Sequence, residues 1–290
     1  MSERYDPLVS VVIPCYNHEK FVQDCIQSVI DQTYSNIELI IIDDGSKDSS
    51  ILKIEEMIEL CEKRFTRFEF RARSNKGLCE TLNEALDYCN GEYYSTIASD
   101  DKLLPNKIFN QVCFLEKNIK YVALFGGVNL IDEDSNKIRE IMPSLRNLSF
   151  KNIFLSNYTI LAPTQLIRMS SLKLLGENPY PKYLKIEDWY MWLKLSQIGP
   201  IVNLQEIVVD YRYHESNISK NINLMQKGRF DVINEFRDNK LYPQSYKMVD
   251  IINSLERKDL FNVFKIFLDF KVMFSYIALK KIISYVIVKS

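Results

Sequence analysis

The sequence predicts an α/β fold built on a mostly parallel central sheet with helices on both faces. Short apolar, β-branched runs alternate with helix-like segments four times within the first hundred residues. This alternation is typical of βαβ units, in which helices cover a parallel sheet. A length of 290 residues and an apolar fraction of 47% allow one large domain with a packed core and a helical appendage.

The first half of the chain contains most of the predicted strands. Segments 8–13 and 37–42 are continuous apolar runs, the pattern of strands that are buried on both faces. Segment 18–32 repeats apolar residues at helical spacing. We predict strands at 8–13, 37–42, 68–72 and 92–98, helices at 18–32, 51–61 and 78–88, and the start of a further helix at 102–105.

The second half ends in helices. We predict strands at 122–131 and 201–213, a polar turn at 132–137 and a helix at 187–198. Beyond Ser219 the chain is predicted to be wholly helical, with Pro243 as the only break. A C-terminal helical extension therefore follows the α/β part.

Polar residues cluster just after the predicted strands. In parallel sheets, ligands bind beyond the carboxyl ends of the strands, so we expect these side chains to share one rim. They are Tyr16, Asn17, Asp43, Asp44, Asn75, Asp100 and Asp101.

Asp100 and Asp101 follow the fourth predicted strand. Adjacent carboxylates repel each other unless a cation or hydrogen bonds compensate them. Mg²⁺ and Mn²⁺ take oxygen ligands and often share them with substrate phosphates. The pair therefore indicates either a metal site beside a diphosphate or a solvated helix cap, and Asp43-Asp44 has the further alternative of a polar turn with Gly45.

Glu187-Asp188-Trp189 opens the predicted helix at 187–198. Acidic residues at this position either cap the helix or place a carboxylate near a hydroxyl group as a general base. Both interpretations stay open from the residues alone.

The two histidines of the chain differ in context. His214 follows the last predicted strand together with Arg212, and it is either a metal ligand or phosphate contact, or part of a structural polar loop. His18 is predicted to cap the first helix or to lie on the surface. Asn75-Lys76-Gly77 precedes a helix, where Gly77 would permit close backbone approach and the helix N-terminus favours anions.

Composition narrows the class of protein. The formal net charge of −1, from 37 basic and 38 acidic residues, gives no support to nucleic-acid binding. The six cysteines contain no CxxC pair, which favours buried free thiols in a reducing compartment. No signal peptide is evident and no apolar stretch reaches the roughly 18 residues that span a bilayer, so we expect a cytoplasmic protein.

Taken in order, these segments resemble the inverting GT-A glycosyltransferases of family 2, over roughly residues 8–220. The matching stretches are VSVVIPCYNHEKFVQDCIQSVIDQTYSNIELIIIDDGSKDSS, SNKGLCETLNEALDYCNGEYYSTIASDDKLLP, IEDWYMWLKLSQIG and YRYHESNIS. The resemblance implies a GT-A fold with a Rossmann-like sheet, a nucleotide-sugar donor and a divalent ion, Mn²⁺ or Mg²⁺.

The resemblance also assigns roles to residues. On the donor side it implies that Pro14 and Tyr16 are walls of the nucleotide-base site, that Asp44 accepts a hydrogen bond from the base, and that Asn75 and Gly77 lie near the base and ribose. It also implies that Ser99, Asp100 and Asp101 form the metal-binding motif. From the residues themselves, His214 is a candidate for a further metal ligand. On the acceptor side, Asp188 is the expected catalytic base, and Glu187 and Trp189 help to shape the site.

Two positions depart from the family pattern. Many relatives carry an aspartate where this chain has Ala98, which leaves open which of Asp100 and Asp101 binds the metal. An arginine is often found near Asn83, where this chain has Leu82, so a basic nucleotide contact is expected from Arg73 or Lys76 instead.

The implied organisation is a catalytic domain over residues 1–220 and a helical region over 221–290. Within the former, 1–101 is the expected nucleotide-sugar-binding half and 102–220 the acceptor-binding half. The expected reaction is transfer, with inversion, of a sugar from a UDP-hexose or UDP-N-acetylhexosamine to a hydroxyl of a glycan. A lipid-diphosphate-linked glycan of bacterial surface-polysaccharide assembly, of the O-antigen or capsule type, is the expected acceptor.

Residues 259–290 are rich in aromatic and aliphatic side chains interrupted by lysines. This pattern indicates either an amphipathic helix on the inner face of the cytoplasmic membrane or a helical hairpin packed on the catalytic domain.

Other classes of protein fit less well. A sugar-nucleotide nucleotidyltransferase would need a glycine-rich loop after the first strand, where this chain has Pro14-Cys15-Tyr16-Asn17. A dinucleotide oxidoreductase would need GxGxxG. A non-catalytic nucleotide-sugar-binding module stays possible only if the carboxylate sets are coincidental.

Overall fold

The structure is a computed structural model that describes residues 6–143, 147–215, 217 and 220–268. The chain forms two compact units. Unit 1 comprises Met1–Leu148, Thr159–Tyr183 and Lys194–His214, and unit 2 comprises Ser149–Tyr158, Leu184–Leu193 and the chain from Glu215 onward. The functional division at residue 220 stays a prediction.

Unit 1 is organised by one ten-stranded sheet. Its strands are β1 (Val9–Cys15), β2 (Ile37–Asp43), β3 (Arg67–Ala72), β4 (Tyr93–Thr96), β5 (Lys102–Leu103), β6 (Ala123–Ile131), β7 (Lys137–Ile141), β8 (Asn147–Leu148), β9 (Leu166–Arg168) and β10 (Ile201–Arg212). The main order is β3-β2-β1-β4-β9-β6-β10-β5. The pairs β1–β2, β1–β4, β2–β3 and β6–β10 are parallel, which confirms the mostly parallel sheet.

Helices lie around this sheet and in unit 2. They are α1 (Val22–Ile30), α2 (Ser50–Glu55), α3 (Ile58–Arg64), α4 (Leu78–Asp87), α5 (Lys107–Lys117), α6 (Phe150–Phe154), α7 (Met169–Lys173), α8 (Glu187–Ile198), α9 (Ile222–Asn234), α10 (Tyr242–Glu256) and α11 (Leu260–Leu268), with a 3₁₀ turn at Ala162–Thr164. The predicted α/β fold with C-terminal helices is confirmed, and the prediction for α8 matches its bounds.

The core of unit 1 explains why β1 and β2 are continuous apolar runs. Their side chains are buried on both faces, and residues such as Val11 and Leu39 pack with Cys25 and Ile26 of α1. The described cysteines are free thiols, buried except for the half-buried Cys113, as predicted.

Two predicted helix boundaries were wrong. The helix predicted at 51–61 is two helices, because α3 is anchored separately through Arg64, which donates to the carbonyl oxygens of Ile30, Gln32 and Tyr34. The helix predicted from residue 102 begins at Lys107 instead. Residues 102–104 cannot make helical bonds because Lys102–Leu103 pairs with β10, the Leu103 N–H donates to Ser28 and the Leu104 N–H donates to Val208.

Pro243 is not the break among the C-terminal helices. It lies in the first turn of α10, where a helix needs no intrahelical N–H donor. The breaks fall at 235–241 and 257–259. The part of the prediction that concerns residues 269–290 lies outside the described residues.

Candidate active site

The carboxyl ends of β1, β2, β4 and β10 lie on one edge of the sheet. β1, β2 and β4 are parallel to one another, and β10 has the same direction because β9 is antiparallel to both β4 and β6 while β10 is parallel to β6. The polar residues that follow these strands therefore share one rim of unit 1, as the sequence predicted.

Asp43 is the last residue of β2 and Asp44 follows it, and the two carboxylates bind different partners. Asp43 accepts hydrogen bonds from the N–H groups of Gly45 and Ser46, at 3.0 and 2.8 Å, and from the Ser46 hydroxyl at 2.6 Å. Its carboxylate is thus used to close the turn. The polar-turn interpretation holds for Asp43, and Asp44 is the member of the pair that faces another loop.

Asp44 holds the loop that precedes α4. Its carboxylate accepts from the N–H of Lys76 at 2.8 Å and of Gly77 at 2.9 Å, and also from the Arg73 guanidinium. Gly45 permits this approach, because its φ is +78° and an added Cβ would lie 2.6 Å from the Asn75 nitrogen. Asp44 and Gly45 together fix the loop against the end of β2.

Gly77 leaves the surface open at the start of α4. Its φ is +92°, a conformation that favours glycine, and an added Cβ would meet nothing within 4 Å. Arg73 is tied to Glu84 and Thr81 as well as to Asp44, whereas about half of the Lys76 side chain is exposed. Of the two basic residues expected near a nucleotide, Lys76 is therefore the more accessible.

The end of β1 joins the same turn. Asn17 has a φ of 55°, its N–H donates to the Ser46 hydroxyl and its side-chain oxygen accepts from the Lys47 N–H. The neighbouring Tyr16 is 46% exposed, and Pro14 is partly buried. Tyr16 thus offers an exposed aromatic ring on the rim.

The end of β4 carries a compact cluster of possible metal ligands. Asp100 Oδ2 lies 2.8 Å from His214 Nε2 and 4.0 Å from His18 Nε2. Ligand atoms of these three residues all lie within 4.8 Å of one another, and the cluster is the one group of this kind among the described residues. A buried carboxylate beside two imidazoles is a donor set that fits a divalent transition-metal ion. Burial lowers the pKa of His18, which favours its neutral form.

Asp101 lies beside this cluster but is not part of it. Its side chain is buried, and Oδ1 accepts from the Arg212 N–H at 2.8 Å. Oδ2 has no hydrogen-bond partner among the described residues. Burial, reinforced by the neighbouring Asp100, raises the pKa of Asp101 well above its usual range. Of the two aspartates, the structure thus groups Asp100 with the imidazoles.

Arg212 fastens the end of β10 to the end of β4. Its buried guanidinium donates from Nε to the Asp100 carbonyl at 2.8 Å, and from Nη1 to the carbonyls of Asp132 and Glu133 at 3.0 and 2.7 Å. It also lies over the Phe21 ring at 4.7 Å, and the centroid of that ring is 5.2 Å from that of His214. The Arg212 contacts therefore set the position of Asp100 relative to His214.

The prediction for His18 was wrong. Helix α1 begins at Val22 with Phe21 as its N-cap, and the His18 carbonyl accepts from the N–H groups of Phe21 and Val22. The His18 ring points instead to Ser99 and Asp100. The signal that could have found it is its position just after β1, on the same rim as the aspartates.

The acidic start of α8 belongs to unit 2. The Asp188 carboxylate accepts from the Trp189 N–H at 2.6 Å, and both Glu187 and Asp188 are partly exposed. Burial raises the pKa of Asp188 to about 6, and burial together with Asp188 raises that of Glu187 further. The Trp189 ring is buried, and its Nε1–H donates to the Ile153 carbonyl at 3.2 Å, so it anchors α8 on α6.

Comparison with known proteins identifies the family. A family profile described as "Glycosyl transferase family 2" matches residues 10–175, more than half of the chain. The chain belongs to glycosyl transferase family 2. This membership favours the transferase class over the nucleotidyltransferase and oxidoreductase alternatives.

Several relatives are much longer than the chain. An uncharacterized glycosyltransferase of Rickettsia felis is 31% identical over 225 residues, which are 75% of this chain and 36% of the relative. The chain thus spans about a third of the length of some curated relatives that it matches. The Escherichia coli protein "UDP-Glc:alpha-D-GlcNAc-diphosphoundecaprenol beta-1,3-glucosyltransferase WfgD" is 29% identical over 257 residues, 87% of this chain and 95% of WfgD.

Solved structures share the fold of this family 2 member. TarS of S. aureus, residues 1–349 in complex with UDP-GlcNAc, has a TM-score of 0.64 at 17% identity, covering 83% of this chain and 70% of that one. The mannosyltransferase PcManGT of Pyrobaculum calidifontis, in complex with GDP-Man and Mn²⁺, has a TM-score of 0.64 at 15% identity, covering 97% and 76%. At these identities the likeness shows the GT-A fold alone.

We expect the buried Arg212 to be a main support of unit 1. Substituting Arg212→Met should lower the free energy of unfolding by about 3–5 kcal/mol, because it leaves buried carbonyl groups without their charged donor. Urea denaturation of the full chain, followed by circular dichroism, measures this loss. The control is Arg71→Met, whose guanidinium is 43% exposed beside Glu69, with an expected loss below about 1 kcal/mol. Equal losses in the two variants would contradict the supporting role of Arg212.

Proposed function

We propose that the protein transfers one sugar, with inversion, from a UDP-hexose or UDP-N-acetylhexosamine to a hydroxyl of a lipid-diphosphate-linked glycan in surface-polysaccharide biosynthesis. The observation that carries this proposal is the rim of unit 1, where the Asp44 loop and the Asp100–His214 pair follow strands that end on the same edge of the sheet. The loop held by Asp44 suits a nucleotide, and the Asp100–His214 pair suits a metal-bound diphosphate.

The donor and the acceptor are proposed from relatives. WfgD, of which the match covers 95%, is named for transfer from UDP-Glc to GlcNAc-diphosphoundecaprenol. TarS is described in complex with UDP-GlcNAc. These names support a uridine donor and a lipid-diphosphate acceptor for this chain. On the rim, exposed Tyr16 would stack on the base, Asp44 would accept from it, and Asn75 and Gly77 would lie near the ribose.

A divalent ion, Mn²⁺ or Mg²⁺, would be held by Asp100 and His214. The 2.8 Å separation of Asp100 Oδ2 and His214 Nε2 brings two ligand atoms together, and Ser99 lies beside them. PcManGT, which shares the fold, is described with Mn²⁺. When bound, such an ion offsets the negative charge that develops on a leaving diphosphate.

The proposed reaction is a single in-line displacement. The acceptor oxygen forms a bond to the anomeric carbon while the bond from that carbon to the diphosphate oxygen breaks, and UDP leaves with the electron pair. Asp188 takes the hydroxyl proton. Its raised pKa makes its carboxylate a stronger base than an exposed aspartate, which suits proton abstraction near neutral pH. Glu187 and Trp189 would shape the acceptor site, Glu187 as a protonated neighbour and Trp189 by anchoring α8.

We expect Asp188→Asn to lower turnover by roughly 100- to 10,000-fold while UDP still binds, because the amide cannot accept the proton. UDP release from UDP-glucose with Mn²⁺ and a synthetic GlcNAc-diphosphate-lipid acceptor measures turnover, and calorimetry measures UDP binding. The matched control is Glu187→Gln, which mimics a protonated glutamate and should retain most of the activity. Near-normal turnover in Asp188→Asn would remove the base assignment, and no turnover by the wild type with any UDP-sugar would overturn the function.

The pH profile gives a second test. The base works only when ionised, so kcat should fall as pH drops through about 6, the raised pKa of Asp188, rather than near the usual range of a carboxyl group. Since Glu187 has the higher pKa, it keeps its proton while Asp188 titrates. The acid limb of Glu187→Gln should therefore coincide with that of the wild type. An acid limb near pH 4 would contradict the proposed role of Asp188.

We also propose that α11 lies on an anionic membrane surface, where a lipid-linked acceptor would be found. Val263 and Ile266 pack into the core of unit 2, whereas Leu260, Phe261 and Phe264 are 62%, 81% and 61% exposed. Exposed basic residues, Arg257, Lys258 and Lys265, flank this apolar face. Aromatic side chains bordered by cations are typical of helices at the lipid interface. Within the described part of the chain, no helix is both long and apolar enough to cross a membrane.

Substituting Phe261→Ser together with Phe264→Ser should release the protein from vesicles that contain phosphatidylglycerol, because the apolar face is lost while the lysines remain. Co-sedimentation of the full chain measures binding, and vesicles of phosphatidylcholine alone show whether lipid charge is needed. The control variant, Ile119→Ser, removes an 84% exposed apolar side chain of unit 1. If the double variant pellets as the wild type does, docking through α11 is wrong.

A further inference from the structure

His18 has no role in the proposed reaction, although it lies in the ligand cluster. Its side chain is 22% exposed and Nε2 is 4.0 Å from Asp100 Oδ2, while the centroid of its ring is 5.9 Å from that of His214. Both imidazoles thus face the same carboxylate.

The two distances from Asp100 have different meanings. The 2.8 Å between Asp100 Oδ2 and His214 Nε2 is a hydrogen bond, whereas 4.0 Å to His18 Nε2 is too long for one. Two atoms bound to the same ion at about 2.0–2.2 Å stand roughly 3–4 Å apart. The gap between His18 and Asp100 therefore has the width that a shared ion would span.

Ser99 orients the His18 ring for such a role. His18 Nδ1 is 2.7 Å from the Ser99 hydroxyl. When Nδ1–H donates to that oxygen, Nε2 carries the free electron pair and faces Asp100. Metal-binding histidines commonly donate their second ring N–H in this way, which fixes the tautomer and the ring orientation. Phe21 supports both rings, with its centroid 6.2 Å from that of His18 and 5.2 Å from that of His214.

We propose that His18 is a third protein ligand of the divalent ion, and this inference rests on the metal site of the proposed function. The resulting set is two imidazoles and one carboxylate. Imidazole suits transition metals, whereas Mg²⁺ prefers oxygen ligands and near-ideal octahedral geometry. His18 thus makes the site selective for Mn²⁺ over Mg²⁺. Co²⁺ and Zn²⁺, which also accept imidazole ligands, serve as probes of the site.

The first experiment measures metal binding without any sugar substrate. The chelator-treated full chain is titrated with Mn²⁺, and free Mn²⁺ is followed by electron paramagnetic resonance. His18→Ala should weaken Mn²⁺ binding by roughly 10- to 100-fold and lower the preference for Mn²⁺ over Mg²⁺ in competition. The control Lys20→Ala changes an exposed residue of the same loop and should stay within about twofold of the wild type. Mn²⁺ affinity in folded His18→Ala that equals the wild type would overturn the proposal.

The second experiment observes the two imidazoles directly. The chain has two histidines, so ¹⁵N-histidine labelling gives signals from two imidazoles, which His18→Gln assigns. Zn²⁺, as a diamagnetic probe, should shift the Nε2 resonance of both rings. A shift of the His214 ring alone would overturn the ligand role of His18.

Failure of the proposed function and failure of the His18 ligand assignment give different results. If Zn²⁺ shifts both imidazoles but the wild type turns over no UDP-sugar, the ligand assignment stands and the function is wrong. If Asp100→Asn leaves Mn²⁺ affinity unchanged, the ion binds elsewhere and the ligand assignment is overturned.

Discussion

The rim of unit 1 depends on one buried cation. Arg212 has no exposed surface, and its guanidinium donates to the backbone at the end of β4 and in the turn after β6. Its own N–H is bound by Asp101, so side chain and backbone of the same residue hold the β4 end from two directions. Burying a guanidinium is costly unless its donors are matched. Here carbonyl groups and the Ser135 hydroxyl accept from Nε and Nη1, and the Asp24 carboxylate lies 3.6 Å from Nη2. The positions of Asp100 and His214 follow from this arrangement.

Each Asp-Asp pair divides its work between structure and site. Asp43 closes its own turn, and Asp44 binds the loop before α4. Asp101 binds the end of β10, and Asp100 faces the imidazoles. Adjacent carboxylates on one short loop must point apart to limit their repulsion. Each pair therefore supplies one carboxylate that holds its own turn or the end of β10, and one that faces another loop of the rim, Asp44 toward Lys76 and Asp100 toward His214.

Local pattern was sufficient for most of the fold and insufficient for part of the site. The buried runs of β1 and β2 and the periodicity of α8 depend on nearest neighbours in sequence, and they were predicted correctly. Residues 102–105 carry no such signal for a strand, because their pairing with β10 is a contact more than a hundred residues away. His18 was misjudged for the same reason, since its partners Ser99 and Asp100 lie far along the chain. Local pattern predicts that polar residues after neighbouring strands share a site. It does not identify partners that lie far apart in the sequence.

In the proposed reaction Asp188 of unit 2 is the base, and its basicity depends on the burial of its carboxylate and on the charges near it. A cation beside it would stabilise its charge and return its pKa toward the usual range. Arg229 acts on Tyr158, as Asp188 does, and its guanidinium is held by Glu256 at 2.5 and 2.8 Å and by Asn253 at 2.6 Å. This bidentate ion pair between Arg229 of α9 and Glu256 of α10 offsets the charge of the arginine. Burial is the main cause of the raised pKa of Asp188, which is the basicity that the proposed proton abstraction would require.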